Sequence, residues 1–267
     1  MGRIGLVAGE GKAPIVFAKA AKKKGDEVVA FGVRGLTSEE LETLVDKMHW
    51  IEWGQLQKAF FLLMMERIKK IILLGKVRKP LILQNSAKLD EEAQNLLKIS
   101  KDKNDYSLLK AVENMLSKIG VGLIDVTTYF DAYMPSRGIL TERAPTASEE
   151  RDIDVGIKIA RELARMDIGQ TVCIKDGCAI AVEGAEGTDE TIKRSGELSG
   201  GRFTVVKMAR PDQDMRFDVP IVGLETMNVL VQAKGSVLAL EEKRTILIDR
   251  DEVIPLANKS GISIVIV

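Results

Sequence analysis

Between Arg3 and Val33 the chain reads RIGLVAGEGKAPIVFAKAAKKKGDEVVAFGV. A short apolar run ends in glycine, a helical pattern follows with a glycine stop at Gly25, and a second strand-like run comes next. This β-α-β order continues. TSEELETLVDK, with Ser38 as a start cap, and QLQKAFFLLMMERI read as helices, and KIILLG reads as a buried strand. Helical patterns near Asp90 to Ile99 and Tyr106 to Ile119 then precede the strand pattern VGLIDV. Strands alternating with helices pair most economically in parallel with right-handed crossovers. The first half is therefore expected to be a Rossmann-like, doubly wound α/β layer.

From Met134 to Pro145 the text changes to MPSRGILTERAP, without periodicity, and the domain boundary is placed there. The expected division is an N-terminal domain over 1–134, a linker over 135–145 and a C-terminal domain over 146–267. The second half opens on a long amphipathic helix, about Ser148 to Met166. In QTVCIKDGCAIAVEG, Asp176-Gly177 between two apolar runs signals a hairpin. Helix TDETIKRSGEL, strand RFTVVKMA, helix LETMNVLVQAKG, a second hairpin over SVLALEEKRTILID and a closing helix and strand complete an α/β domain of mixed sheet.

The 267 residues exceed the usual domain mode of roughly 100–150, which favours two domains. Lys plus Arg equals Asp plus Glu, 39 against 39, so net charge recommends no nucleic-acid partner. Cys173 and Cys178 fit neither a disulfide scaffold nor a CxxC zinc site, and a reducing cytoplasm is the simplest home. The opening GRIGLVAGEG lacks a signal peptide's apolar core, and no apolar run approaches the roughly 18–20 residues that span a bilayer.

The turn AGEGKAP sits between strand one and helix one. Its glycines let backbone amides approach a ligand and the helix start behind them favours anions, so Gly9, Glu10, Gly11 and Lys12 are candidates to receive phosphate. A dinucleotide fingerprint would need a third glycine where Ala13-Pro14 stands, and an acid after strand two, where VVAFGVRG has none. A nicotinamide oxidoreductase is thus the weaker alternative. Lys76, Arg78 and Lys79 cluster just past another strand, where open α/β sheets bind ligands. The lone His49 reads as structural, which removes a His-based metal site or a Ser-His triad.

Carboxylates of the second half are where chemistry is then sought. AVEGAEGTDETIKR carries Glu183, Glu186, Asp189 and Glu190 around Gly187 and Thr188. Such acids also serve as plain helix caps. Lys175 and Lys207 lie at strand ends, and ARPDQDMRFDVP packs Asp212, Asp214 and Asp218 with Arg210 and Arg216 between two prolines. Oxygen donors without nitrogen or sulfur partners suit a hard cation such as Mg²⁺, leaving lysine and arginine for phosphate oxygens.

GLVAGEGKAP, WGQLQK, LLGKVRKP, GILTERAP, KDGCAIAVEGAEGTDETIKR and KMARPDQDMRFDVPIVGLETM together resemble, in order and nearly in wording, the LpxI-type UDP-2,3-diacylglucosamine pyrophosphatases. The resemblance implies hydrolysis of UDP-2,3-diacylglucosamine to UMP and 2,3-diacylglucosamine 1-phosphate, lipid X. This is a Mg²⁺-dependent step of lipid A assembly at the cytoplasmic face of the inner membrane, with Mn²⁺ as a substitute ion. It implies an essential aspartate in MRFDVP, which is Asp218; on physical grounds Asp218 and Asp214 would hold Mg²⁺ or orient the attacking water, while Lys175, Lys207 and Arg216 would neutralise the phosphates. Substrate contacts are implied from Gly9 to Lys12, from Gly75, Lys76 and Arg78, and from Glu183, Gly187, Thr188 and Asp189, with Lys175 and Arg216 expected to join them as cations facing the diphosphate. Expected partners are the UDP-linked diacyl sugar and, peripherally, the inner membrane, with a homo-oligomer left open. The alternatives are a hydrolase or binding protein for a different nucleotide-linked sugar or lipid.

Overall fold

The first sheet has five strands, and every pairing in it is parallel. The structure is a computed structural model and describes residues 2–76, 89–99, 105–216 and 219–267. Strands β1 (Arg3–Ala8), β2 (Glu27–Val33), β3 (Lys47–Ile51), β4 (Lys70–Leu74) and β5 (Gly122–Leu123) alternate with helices. These are α1 (Ala13–Lys23), α2 (Leu56–Met65), α3 (Glu91–Ile99) and α4 (Asp105–Lys118). The chain winds outward from β1 through β2 to β3, then crosses back to place β4 on the other side of β1. The switch point of the doubly wound layer therefore falls between β1 and β4. Val29, Phe31, Leu63, Ile68, Ile71 and Leu116 build the core against this sheet.

Two expectations change here. TSEELETLVDK forms only a 3-10 turn over Glu39–Thr43, with Ser38 Oγ accepting from the Glu40 amide at 3.3 Å. Leu41 is its one buried residue, so no apolar stripe carries a longer helix. The following residues instead form the short edge strand β3, only one of whose five residues is buried.

The chain divides into two compact units, Met1–Phe130 with Asp214–Asp218, and Asp131–Gln213 with Val219–Val267. A short helix, α5 (Thr127–Phe130), closes the first stretch. The second unit holds a six-stranded mixed sheet in the order β6-β13-β11-β9-β7-β8. It comprises β6 (Gly138–Ile139), β7 (Thr171–Lys175), β8 (Cys178–Val182), β9 (Thr204–Lys207), β11 (Val237–Leu240) and β13 (Ser263–Ile266). Strands β9, β11 and β13 are mutually parallel, while β6 and β7 run against their neighbours. Side chains alternate between two cores. Val206, Val237 and Ala239 pack under α6 (Ala147–Arg165), whereas Val205, Leu238 and Leu240 meet residues of α7 (Thr188–Ser199), α8 (Leu224–Gln232) and α9 (Arg250–Lys259). A Cβ on Gly156 would stand 2.4 Å from Val206 Cγ2, so that glycine sets how closely α6 lies on the sheet.

The β7-β8 hairpin forms with Asp176 and Gly177 at φ 51° and 76°, both left-handed as a tight turn needs. The second expected hairpin does not form. Strand β11 is buried on both faces and already paired on both sides, by β9 and β13, leaving no edge for Ile246–Leu247. Those two residues, β12, pair in parallel with Ile221–Val222, β10, as a separate ribbon.

Candidate functional site

The turns after β1 and β4 meet at the switch point. The Gly9 amide donates to the Leu74 carbonyl at 2.8 Å, Glu10 to the Lys76 carbonyl at 3.0 Å, and Lys76 back to the Glu10 carbonyl at 2.9 Å. A Cβ on Gly9 would lie 2.7 Å from the Lys76 oxygen, and one on Gly75 2.7 Å from the Gly9 carbonyl carbon. Gly75 also sits at φ +98°. These two glycines let the backbones touch, and the amides of Gly9 and Glu10 are spent on that pairing. The open part of the turn begins at Gly11, at φ +100° with empty space where a side chain would start. Helix α1 then begins at Ala13 without a side-chain cap. The turn stands between β1 and α1 where the sequence places it; the structure gives Gly9 and Gly75 a packing role and leaves Gly11 and Lys12 exposed. Arg78 lies outside the described residues.

A second constellation forms in the C-terminal unit. Lys207 ends β9 directly opposite Thr171 in the antiparallel register with β7. Lys207 is 7% exposed, and its ammonium donates to Thr188 Oγ1 at 2.7 Å and Thr171 Oγ1 at 3.3 Å and stands 4.0 Å from Glu183 Oε2. Glu183 accepts from the Thr188 hydroxyl at 2.9 Å and from the Gln170 amide at 3.2 Å. Burial pushes the Glu183 carboxyl up, but Lys207 and the surrounding hydrogen bonds outweigh it and hold the carboxyl below its ordinary range. Gly187, at φ 85°, turns the chain into α7 so that Thr188 opens the helix beside this pair. A paired lysine, an acid and hydroxyls at a helix start make a buried polar site suited to anion chemistry. Asp189 is tied elsewhere, accepting from Thr226 Oγ1 at 2.8 Å. Thr171 had no signal in the sequence, because only strand register brings it opposite Lys207.

Lys175 is not brought to this cluster. It lies at the other end of β7, where its ammonium donates to the Ser199 and Gly201 carbonyls at 2.8 and 2.9 Å and closes the C-terminal end of α7.

The loop residues Asp214 and Arg216 belong to the first unit. Arg216 grips Asp214 with Nε at 2.9 Å and Nη2 at 2.6 Å, and its Nη1 pairs with Glu113 of α4. Lys110 bridges Glu113 at 2.9 Å and Asp214 at 3.4 Å. The Arg216 guanidinium, against the opposing pull of burial, holds the Asp214 carboxyl at about 2. Lys110 likewise lowers Glu113, with Arg216 assisting. Asp214 and Arg216 are therefore bound to each other, and a metal at Asp214 would have to exchange partners with Arg216. Lys110 and Glu113 went unnoticed in the sequence, where an i, i+3 charge pair is ordinary helix surface. Asp218 lies outside the described residues. Among the described residues, no group of three or more His, Cys, Asp or Glu is arranged to hold a metal. His49 is structural in the fold as well, stacked on Phe31 and bonded at 2.8 Å to the buried Glu66.

Two family models match the chain end to end, one described as the LpxI N-terminal domain over residues 3–133 and one as the LpxI C-terminal domain over residues 136–265. A relative from Caulobacter vibrioides, the UDP-2,3-diacylglucosamine pyrophosphatase LpxI, is 27% identical over 275 residues, covering 98% of this chain and 96% of its own. Solved structures give only faint likenesses. The biotin carboxylase domain of a thermophilic 2-oxoglutarate carboxylase aligns with TM-score 0.24 and 14% identity, over 64% of this chain and 34% of its own. A glycinamide-RNase-transformylase T from Mycobacterium tuberculosis aligns with TM-score 0.25 and 9% identity, over 68% and 44%. The chain spans under half the length of both, and both likenesses are too weak to place the fold.

Proposed function

Because the chain belongs to the LpxI family, we propose that it is a UDP-2,3-diacylglucosamine pyrophosphatase that cleaves the diphosphate to UMP and lipid X in lipid A synthesis. The observation that carries this reading is the match to both family domains along nearly the whole chain. The buried Lys207 site supports it in chemical terms. A diphosphate resists hydrolysis largely because its negative charge repels nucleophiles, so an enzyme must place cations against it and aim a water. Lys207, fixed by the Thr171 and Thr188 hydroxyls, is oriented to supply such a cation. Gly11 and Lys12, with the helix start behind them, supply anion-directed backbone and charge. Asp218 is assigned the positioning of the water, and Asp214 with Arg216 the holding of the loop two residues before it.

Mg²⁺ belongs to the proposal as a companion of the substrate. This ion is ordinarily held by one or two carboxylates together with substrate phosphates, which asks less of the protein than a three-donor cage. Asp218 is the protein donor assigned to it, joined by Asp214 only where that carboxylate exchanges Arg216 for the ion, and its contribution would be charge neutralisation of the diphosphate. A cytoplasmic location and peripheral contact with the inner membrane follow from the acylated substrate. Among the described residues, no helix is long and apolar enough to cross a membrane.

The deciding experiment incubates the protein with UDP-2,3-diacylglucosamine and Mg²⁺ and measures UMP. Release of UMP, lowered about 10²–10⁴-fold in Asp218→Ala with binding retained, is the expected result. Tight binding of the substrate without UMP release would instead make the protein a carrier or sensor of nucleotide-linked lipid.

A further inference from the structure

Among the described residues, helix α2 buries Leu63 toward the sheet and leaves three large apolar side chains exposed on another face. Phe61, Met64 and Met65 are 57%, 53% and 58% exposed, and their i, i+3, i+4 spacing puts all three on one outward face. Single exposed apolar residues are unremarkable on a protein surface, whereas three large ones side by side mark contact with something apolar. Their surroundings identify its chemistry. From Trp53 to Lys76 the one carboxylate is Glu66, and it is buried, with Arg3, Lys47 and His49 around it at 2.8, 2.6 and 2.8 Å. Lys47, burial opposing, holds that carboxyl at about 2, so Glu66 is a charge already matched. Lys58, Arg67, Lys69 and Lys70 are all exposed, as is Lys118 at the end of α4. A groove of about 320 Å³ lined by Met64, Arg67, Ile68, Lys69, Ile119 and Val121 joins the apolar face to the cations.

Cations just past a helix C-terminus are common, because they complement its dipole, and alone they would indicate nothing. Among the described residues and apart from the buried Glu66, acids flank only the start of α2, where Asp90 accepts from the Gln57 amide at 2.8 Å; an apolar face whose C-terminal end is rimmed by cations is the pattern of a helix lying in a lipid interface, with its apolar side among acyl chains and its cations at anionic headgroups. A second copy of the chain suits the patch poorly. A twofold contact sets the same surface against itself and would bring the cations of this rim together.

We propose that the outer face of α2, with its basic rim, docks the protein on an anionic lipid surface. The inference deepens the peripheral contact of the proposed function and rests on that reading only for the lipid nature of the substrate. The topology is compatible with it. Helix α2 connects two parallel strands, so it runs against them, from the edge where β4 ends to the edge where it begins. A helix resting on its outer face leaves the Gly9–Gly75 contact at the sheet's C-terminal edge uncovered.

The test is co-sedimentation with vesicles of phosphatidylglycerol and phosphatidylcholine, compared with phosphatidylcholine alone. The wild-type chain is expected to bind the anionic vesicles and to lose about tenfold in affinity between low and physiological salt. The triple variant Phe61→Ser/Met64→Ser/Met65→Ser should lose roughly tenfold or more, with an unchanged melting temperature and unchanged UMP release from detergent-dispersed substrate. Equal sedimentation of wild type and variant, or none by wild type, overturns the proposal. So does a wild-type dimer in light scattering that the variant converts to monomer, because the face would then belong to a second copy. UMP release without vesicle binding removes the docking face and leaves the reaction standing; vesicle binding without UMP release does the reverse.

Discussion

Replacing Lys207 with methionine separates two forces that balance on Glu183. The carboxylate, 13% exposed, would keep the Thr188 hydroxyl at 2.9 Å and the Gln170 amide at 3.2 Å but lose its cation 4.0 Å away. Removing one partner of a buried pair costs about 3–5 kcal/mol, and the long separation here points to about 3. At roughly 2–4 °C per kcal/mol for a chain of this size, the melting temperature should fall by about 6–12 °C. The pH dependence is the sharper readout. In the wild type, the folded carboxyl lies below its unfolded value of 4.5, so its contribution is complete above pH 4.5 and is lost as pH falls through the folded value. In Lys207→Met, burial, the largest influence on this carboxyl, is opposed only by the remaining hydrogen bonds, and the folded carboxyl is expected to rise above 4.5. The native state then binds the extra proton, and the melting temperature should rise as pH is lowered from 7 toward 5. The double variant Glu183→Gln/Lys207→Met should regain most of the loss, since no charge is left stranded. Circular-dichroism melts from pH 4 to 7 measure all three proteins. A single variant that loses under about 1 kcal/mol and keeps the wild-type pH slope would refute the balance described.

Gly75→Ala should cost about 1–3 kcal/mol through its positive φ and its contact with Gly9, and should weaken substrate binding as the two turns separate; denaturant melts and KM report both. Glu113→Gln removes one carboxylate from Arg216 and should cost about 1–2 kcal/mol, with a loss of kcat larger than any change in KM if the loop before Asp218 must be held. Lys175→Met should lower stability by about 1 kcal/mol by uncapping α7 while leaving KM unchanged, and a several-fold rise in KM would return Lys175 to the substrate site. Removal of divalent ions with EDTA should abolish UMP release and Mg²⁺ or Mn²⁺ should restore it; full activity in thoroughly chelated protein would exclude the metal.

Local pattern determined most of the architecture. Apolar runs alternating with helices required a parallel layer in the first half, and Asp176-Gly177 required a hairpin because few other residues accept two successive left-handed positions. The motifs around Gly9, Thr188 and Asp214 were legible because their residue types are costly or unusual in a plain turn. What the sequence could not decide was who meets whom. Lys175 and Lys207 look alike as lysines ending strands, yet β7 and β9 run in opposite directions, so one caps the far end of α7 and the other reaches Thr188 at its start. The Leu240 to Ile246 stretch reads as a hairpin until β9 and β13 occupy both edges of β11. Lys110 met Asp214 and Glu113 met Arg216 only when α4 packed against a loop about a hundred residues away. Period and propensity act over a few residues, whereas strand direction, edge occupancy and charge pairing are settled by packing of the whole unit, and those decided the site.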